Sequence, residues 1–306
     1  MFKSSITIGK IFGIPIKIHI SFLLIIPFLA WVFGNNIQQI AEYTQISYQE
    51  LSLNPYFTGL ILGLFLFLSV LLHELSHSLV ARSKGINIKD ITLMLFGGVA
   101  NMDELAEDPA DEAKIAFSGP LMSLVLGFLL MFIFSFLPER FSEDLRLIFL
   151  YTGQLNIFLA IFNLLPAFPS DGGRILRAII ATKTSFLKAT KIASTVGKAF
   201  AFLFGIFGIL TLNILLVIIA FFLYMGASQE YQYSHIKNTL SDLKVSDLMS
   251  NDVDTVTKDT PISELLDKMM KKRHSGYPVI KGGEVVGMVT MEDIQKVRSE
   301  EHHSRT

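Results

Sequence analysis

Two histidines and a glutamate interrupt an oily run, FLFLSVLLHELSHSLVA at residues 65–81, at His73, Glu74 and His77. A carboxylate at mid-span costs ~2.5–3.5 kcal/mol on insertion scales, so three ionisable groups there need a use. Their spacing is His-Glu-x-x-His. On a helix, residues four apart share a face, so both imidazoles can reach one cation. Glu74 points ~100° away from His73 but stays close enough to reach a water at that cation. Zinc suits the set: imidazole is a preferred ligand, and two histidines plus one carboxylate leave a fourth position for water. The ion lowers the water's pKa towards ~7, Glu74 takes the proton, and a peptide carbonyl is attacked. The bland reading is chance, with the side chains snorkelling to an interface. The interior of an apolar helix favours zinc, because ionisable groups there mark function by default.

A third ligand is required, and residues 78–90 offer only Asp90, past the helix end. The distant candidate is NLLPAFPSDGGRIL, residues 163–176. Asp171 follows two prolines that end an apolar run and precedes two glycines. Irregular backbone at membrane depth is tolerated only where it lines a protein cavity. On spacing alone, Asp171 reads either as the third ligand or as an ordinary Asp-Gly turn.

The elements that must carry these residues are membrane spans. The chain has 306 residues, 51% hydrophobic and 17% charged, with a mean hydropathy of +0.50. That is too apolar for a soluble domain. A net charge of −1 leaves no basic footprint for nucleic acid. The lack of cysteine excludes disulfides and thiolate metal sites. A span needs ~20 mostly apolar residues. Runs at 18–34, 58–81, 119–137, 147–168 and 193–228 qualify. The last is too long for one span, and LTLN at 210–213 is a tight turn, giving about six spans. The N-terminus lacks a signal-peptide cleavage pattern, so the first span is expected to be retained. Lys and Arg alternate between the loops so that both termini fall in the cytoplasm, with His77 and Asp171 near the same face.

Beyond Gln229 the composition turns charged. Residues 1–228 read as the membrane domain, 229–242 as a linker and 243–306 as a small cytoplasmic α+β domain. There, Pro261 opens a helix with Ile262, Leu265, Leu266 and Met269 at helical spacing. YPVI, a KGGE turn and EVVGMVT form a hairpin.

With these residues in view, the chain resembles the site-2 protease family of intramembrane zinc metalloproteases. The resemblance rests on HExxH in one span and Asn-x-x-Pro-x-x-Pro-x-Asp-Gly-Gly in a later one. FGIPIKIHISFLL, FGGVANMDE and SGPLMSLVLG are also similar to that family, over residues 8–228. It implies that His73, His77 and Asp171 ligate one zinc ion and that Glu74 is the general base and later proton donor. It also implies that Asn163 binds substrate or stabilises the oxyanion; a span-to-span hydrogen bond is the alternative. His19, at the start of a span, reads as structural or interfacial. FGGVANMDE is either a plain hairpin or an edge strand that pairs with unwound substrate.

The tail, with VSDLM, HSGYPVI and GMVTMED, resembles a single CBS motif. CBS motifs work in pairs, often around an adenosine nucleotide such as ATP, and the pattern implies nucleotide contacts for Thr290 and Asp293. A purely structural domain is the alternative. With one motif in view, either the second copy comes from another protomer, giving a homodimer through the tail, or the chain is truncated. The expected protein is thus an α-helical polytopic enzyme of the cell membrane that cleaves a transmembrane protein substrate within the lipid bilayer. A CBS-gated transporter or channel would also carry embedded charges. It would not need HExxH in register with Asp-Gly-Gly, and no inverted repeat is visible. A catalytically silent relative would not need Glu74.

Overall fold

The apolar runs become helices, and the segments flanking the first two become a sheet. The computed structural model describes residues 5–95, 97–103, 106, 108–138, 142–240 and 243–296. They fall into two compact units, residues 1–241 and 242–306.

The first unit opens with β1 (Ser5–Ile11) and β2 (Ile14–His19), joined by a tight turn in which Phe12 and Gly13 take positive φ. Helices α1 (Phe22–Asn35) and α2 (Ile37–Thr44) follow, then α3 (Pro55–Ser83), β3 (Ile88–Met94) and β4 (Gly97–Met102). The remaining helices are α4 (Pro109–Phe136), α5 (Glu143–Asn163), α6 (Asp171–Ala181), α7 (Phe186–Leu210) and α8 (Ile214–Leu240). The sheet order is β1-β2-β3-β4, with β2 and β3 parallel and the other pairs antiparallel. Strand β4 is therefore an edge.

Among the described residues, five helices (α3, α4, α5, α7 and α8) are long and apolar enough to cross a membrane. The first expected span, 18–34, is broken. Residues through His19 belong to β2, and α1 has only 14 residues, about 21 Å against a ~30 Å hydrocarbon core. After a bend of 62° at Asn36, α2 continues the run, and the count is five spans, or six with this bent pair taken as one. The turn at 210–213 separates α7 from α8: Leu212 takes positive φ, and Asn213 Oδ1 accepts from the Leu216 amide at 3.1 Å. Outward faces are oily. Phe128, Phe132 and Phe136 are each more than half exposed, as a lipid-facing stripe should be.

Residues 229–240, expected as a linker, are instead the last turns of α8. The drop in hydropathy there marks a change of surroundings, not the end of the helix. Two described residues hold the extension: Ser234 is buried, and Glu230 pairs with Arg177 of α6 at 2.5 Å.

The second unit holds α9 (Val245–Leu248), β5 (Val256–Thr257), α10 (Ile262–Lys272), β6 (Gly276–Lys281) and β7 (Glu284–Thr290). Strands β6 and β7 form the expected hairpin around Gly282 and Gly283, both at positive φ. Val256, Leu265, Met269 and Tyr277 make its core.

One carboxylate pins three strands of the first sheet. Asp90 on β3 accepts from Lys17 Nζ of β2 at 2.7 Å and from Asn101 Nδ2 of β4 at 2.6 Å. Thr92 Oγ1 adds a bond at 2.8 Å. Burial alone would raise the Asp90 carboxyl, but these donors outweigh it and hold it below its ordinary value. A depressed carboxyl adds stability above its unfolded pKa and loses it as pH falls through the folded one. Hydrogen-exchange protection in β3 and β4, taken relative to the intrinsic exchange rate at each pH, is therefore expected to fall on acidification, and an Asp90→Asn protein should lack this pH dependence.

Candidate active site

Helix α3 turns His73 and His77 onto one face, where both are buried. Helix α4 packs over that face and meets the ring nitrogen of each that points away from the cavity. His77 Nδ1 donates to the Ile115 carbonyl at 2.6 Å, and His73 Nδ1 lies 2.9 Å from Ser123 Oγ. The bond to a carbonyl fixes the His77 tautomer and leaves Nε2 bare. Ser76 Oγ adds a bond to the Ser118 carbonyl at 2.9 Å. This approach is only open to glycine at 119: a Cβ there would sit 2.6 Å from His73 Nε2 and closer still to His77 Nε2.

Asp171 arrives from the other side, at the first position of α6. Prolines 166 and 169 end α5, and residues 164–170 fold back over the start of α6. The Ser170 hydroxyl donates to the carbonyls of Leu165 at 2.7 Å and Ala167 at 2.6 Å. Gly172 and Gly173 let this loop lie against the helix: a Cβ at 172 would meet the Leu164 and Leu165 carbonyls, and one at 173 would be 2.6 Å from the Phe168 amide nitrogen.

Three atoms thereby converge. His73 Nε2 and His77 Nε2 are 3.1 Å apart, and Asp171 Oδ2 lies 3.1 Å from the first and 3.2 Å from the second. Donors bonded at ~2.0–2.2 Å to a tetrahedral centre are separated by roughly 3.3–3.6 Å, so the triangle is close to one face of such a site. Two imidazoles and a carboxylate, with the fourth side open to a cavity, fit zinc in donor chemistry, separation and accessibility. Glu74 lies outside the triangle. Its side chain rests on Gly98 of β4, where a Cβ would be 2.6 Å from Glu74 Cγ.

The cavity, about 720 Å³, is lined by the three converging side chains, Glu74, the β4 edge and Asn163. Asn163 is the last residue of α5, and its Nδ2 donates to the Leu159 carbonyl at 3.0 Å. His19 lies away from it, with Nδ1 2.8 Å from Ser21 Oγ. Thr290 and Asp293, in the other unit, cap each other: the Asp293 carboxylate accepts from the Thr290 hydroxyl at 2.6 Å and from its amide at 3.0 Å.

Sequence reasoning missed the residues that brace α6. Arg177 is fully buried, bonded to Glu112 of α4 and Glu230 of α8, with its guanidinium over the rings of Phe168 and Phe186. The signal available was an arginine and two glutamates placed close to apolar runs, without spacing to join them. Gly119 and Ser123 were visible only as part of a resembling segment.

Residues 61–143 and 139–204 match the model of peptidase family M50, and residues 245–300 match the CBS domain. A zinc metalloprotease of Methanocaldococcus jannaschii is 39% identical over 293 residues, covering 95% of this chain and 80% of that one. Stage IV sporulation protein FB of Bacillus subtilis is 28% identical over 179 residues, 56% of this chain and 59% of its own. Among solved structures, a site-2 protease from Methanocaldococcus jannaschii superposes with a TM-score of 0.52 at 39% identity, over 74% of this chain and 95% of that one.

A Gly119→Val change should push both imidazoles out of the triangle. Zinc content by mass spectrometry is expected to fall while the protein still inserts; full occupancy would show that α4 does not set the ring positions.

Proposed function

Since this chain belongs to peptidase family M50 and is a membrane-embedded zinc metalloprotease of the site-2 type, we propose that it hydrolyses a peptide bond within the transmembrane segment of another membrane-anchored protein, with Glu74 moving the proton. The observation that carries this reading is the triangle of His73 Nε2, His77 Nε2 and Asp171 Oδ2, all within 3.2 Å of one another. These three residues would hold the zinc ion. Bound there, zinc supplies a Lewis acid that polarises a carbonyl and brings a water's pKa towards ~7.

The chain's own groups do the rest. Ile115 and Ser123 hold the imidazoles in the ligating orientation. Glu74, facing the same cavity, takes the proton of the attacking water and delivers it to the amine that leaves, so water and one peptide bond become a carboxylate and an amine. Asn163, at the cavity wall, binds substrate or the developing oxyanion. The free edge of β4 accepts the unwound segment as an added strand, which exposes a peptide bond that a helix would keep in its own ladder. A segment weakened by Gly, Ser or Pro unwinds most readily.

We place both termini in the cytoplasm, with the site opening towards that side, on the strength of the Lys and Arg distribution; Arg140, one of the two loop arginines between spans three and four, lies outside the described residues. Single cysteines at Gly85 and at Lys183, exposed just after α6, should then react with impermeant reagents from the cytoplasmic side only. We also propose that the CBS-type tail pairs with the tail of a second copy around an adenosine nucleotide. Strand β7 supports pairing, because it leaves Val285 and Met288 69% and 67% exposed. Nucleotide contact by Thr290 and Asp293 requires their mutual cap to open. ATP should shift the full-length protein towards dimer in analytical ultracentrifugation, and an unchanged distribution would remove that role.

For the chemistry, Glu74→Ala should keep its zinc and lose about 10²–10⁴-fold in cleavage rate, whereas Asp171→Ala should lose zinc itself. Metal analysis beside a cleavage assay checks both. Loss of zinc from the first protein, or full zinc in the second, would reverse the assignments.

A further inference from the structure

The cavity carries positive charge that hydrolysis does not use. Arg174 sits one turn after Asp171, on the same face of α6, and lines the same space. It is half-buried, yet makes no hydrogen bond or ion pair with any described residue. A guanidinium presents five donors and keeps its charge, so leaving it partly desolvated without a partner is costly. Arg177, three residues on, shows how this fold treats a structural arginine: buried between Glu112 and Glu230 and against two rings. Arg174 has none of this.

A second cation faces the same space from another helix. Lys237 lies one turn after Tyr233 on α8, both line the cavity, and Lys237 also has no ion pair among the described residues. The acids of the cavity are engaged elsewhere. Asp171 meets the imidazoles, Glu74 lies against Gly98, and Asp103 pairs with Lys89 and Asn87.

We propose that Arg174 and Lys237 form an anion subsite that seats an Asp or Glu carboxylate of the substrate beside the scissile bond, making them specificity-determining residues. The inference rests on the reading of the cavity as a peptidase site. A peptide carboxylate is the fitting anion because the exposed strand edge of β4 lines the same cavity and suits an extended chain. A fork-shaped donor set such as Arg174 offers is matched to a carboxylate.

The test uses the full-length protein in phosphatidylcholine vesicles, with and without a fraction of phosphatidylglycerol. Its probes are designed single-span substrates that share one Gly- and Pro-weakened segment and carry Asp, Ser or Lys within four residues of the cut. The cut is located by mass spectrometry on the Ser form. Cleavage is measured with wild type, and binding is measured separately with Glu74→Gln protein. The Asp form should show about 10-fold higher kcat/KM than the Ser form, mostly through KM, and bind about 10-fold tighter. The preference should shrink with added salt. Arg174→Glu with Lys237→Glu should reverse it towards the Lys form at unchanged zinc content. If the double variant loses zinc, Lys237→Glu alone decides, since that side chain is exposed. Equal cleavage of all three forms by wild type, or an Asp preference that survives the charge reversals, overturns the subsite. So does activity that follows the fraction of anionic lipid rather than substrate charge. Asp-selective binding without any cleavage would instead leave the subsite standing and overturn the peptidase reading.

Discussion

The contact between α4 and the two imidazoles of α3 is the constraint around which the membrane unit is arranged. Each ring has two nitrogens, and only one can face the cavity. The other must find a partner among apolar helices, where an unmet polar atom costs on the order of 1–3 kcal/mol. Helix α4 supplies both partners, a carbonyl at Ile115 and a hydroxyl at Ser123. It can come close enough only because residue 119 has no side chain. Once α4 is seated there, its Glu112 end meets α6, and α6 presents Asp171 to the same two rings.

Arg177 extends this logic. A fully buried guanidinium between two glutamates ties α6 to α4 and α8. Such a cluster contributes little net stability compared with an apolar packing, but removing one member strands the others. Its value is positional. Asp171 opens the same short helix, so whatever orients α6 orients the carboxylate. The guanidinium lies over the aromatic rings of both Phe168 and Phe186, and Phe168 belongs to the loop that brings Asp171 in.

Much of this could be read from the chain, and the boundary of legibility follows from the physics. The apolar runs marked the long helices because burial in lipid is written in composition. His73, Glu74 and His77 stood out because spacing on one helix is local information. Asp171 was one of two readings until a resemblance singled it out, since its neighbours in space are 94 and 98 residues away. Gly119, Ser123 and Arg177 were not identified for the same reason: each acts across a helix contact that no local period encodes. The first span differs from the run 18–34 because Ile18 and His19 lead directly into the apolar stretch and carry no local sign of a strand end, yet they belong to β2 and pair with β1 and β3. Helix α8 runs past the point where its composition turns polar, because hydropathy reports the environment of a helix and not its length.

The same separation has a consequence in time. His73 precedes Asp171 by 98 residues. At synthesis rates of about 5–20 residues per second, the interval between them is roughly 5–20 s. Through that interval α3 exists and α6 does not. The partners of the two Nδ1 atoms, Ile115 and Ser123, follow His77 and His73 by only 38 and 50 residues, so they arrive first. The rings can be turned to their final tautomer and orientation while the carboxylate is still unmade. The order of synthesis therefore leaves room for a two-imidazole half-site, held by α4, to form before its last donor is made.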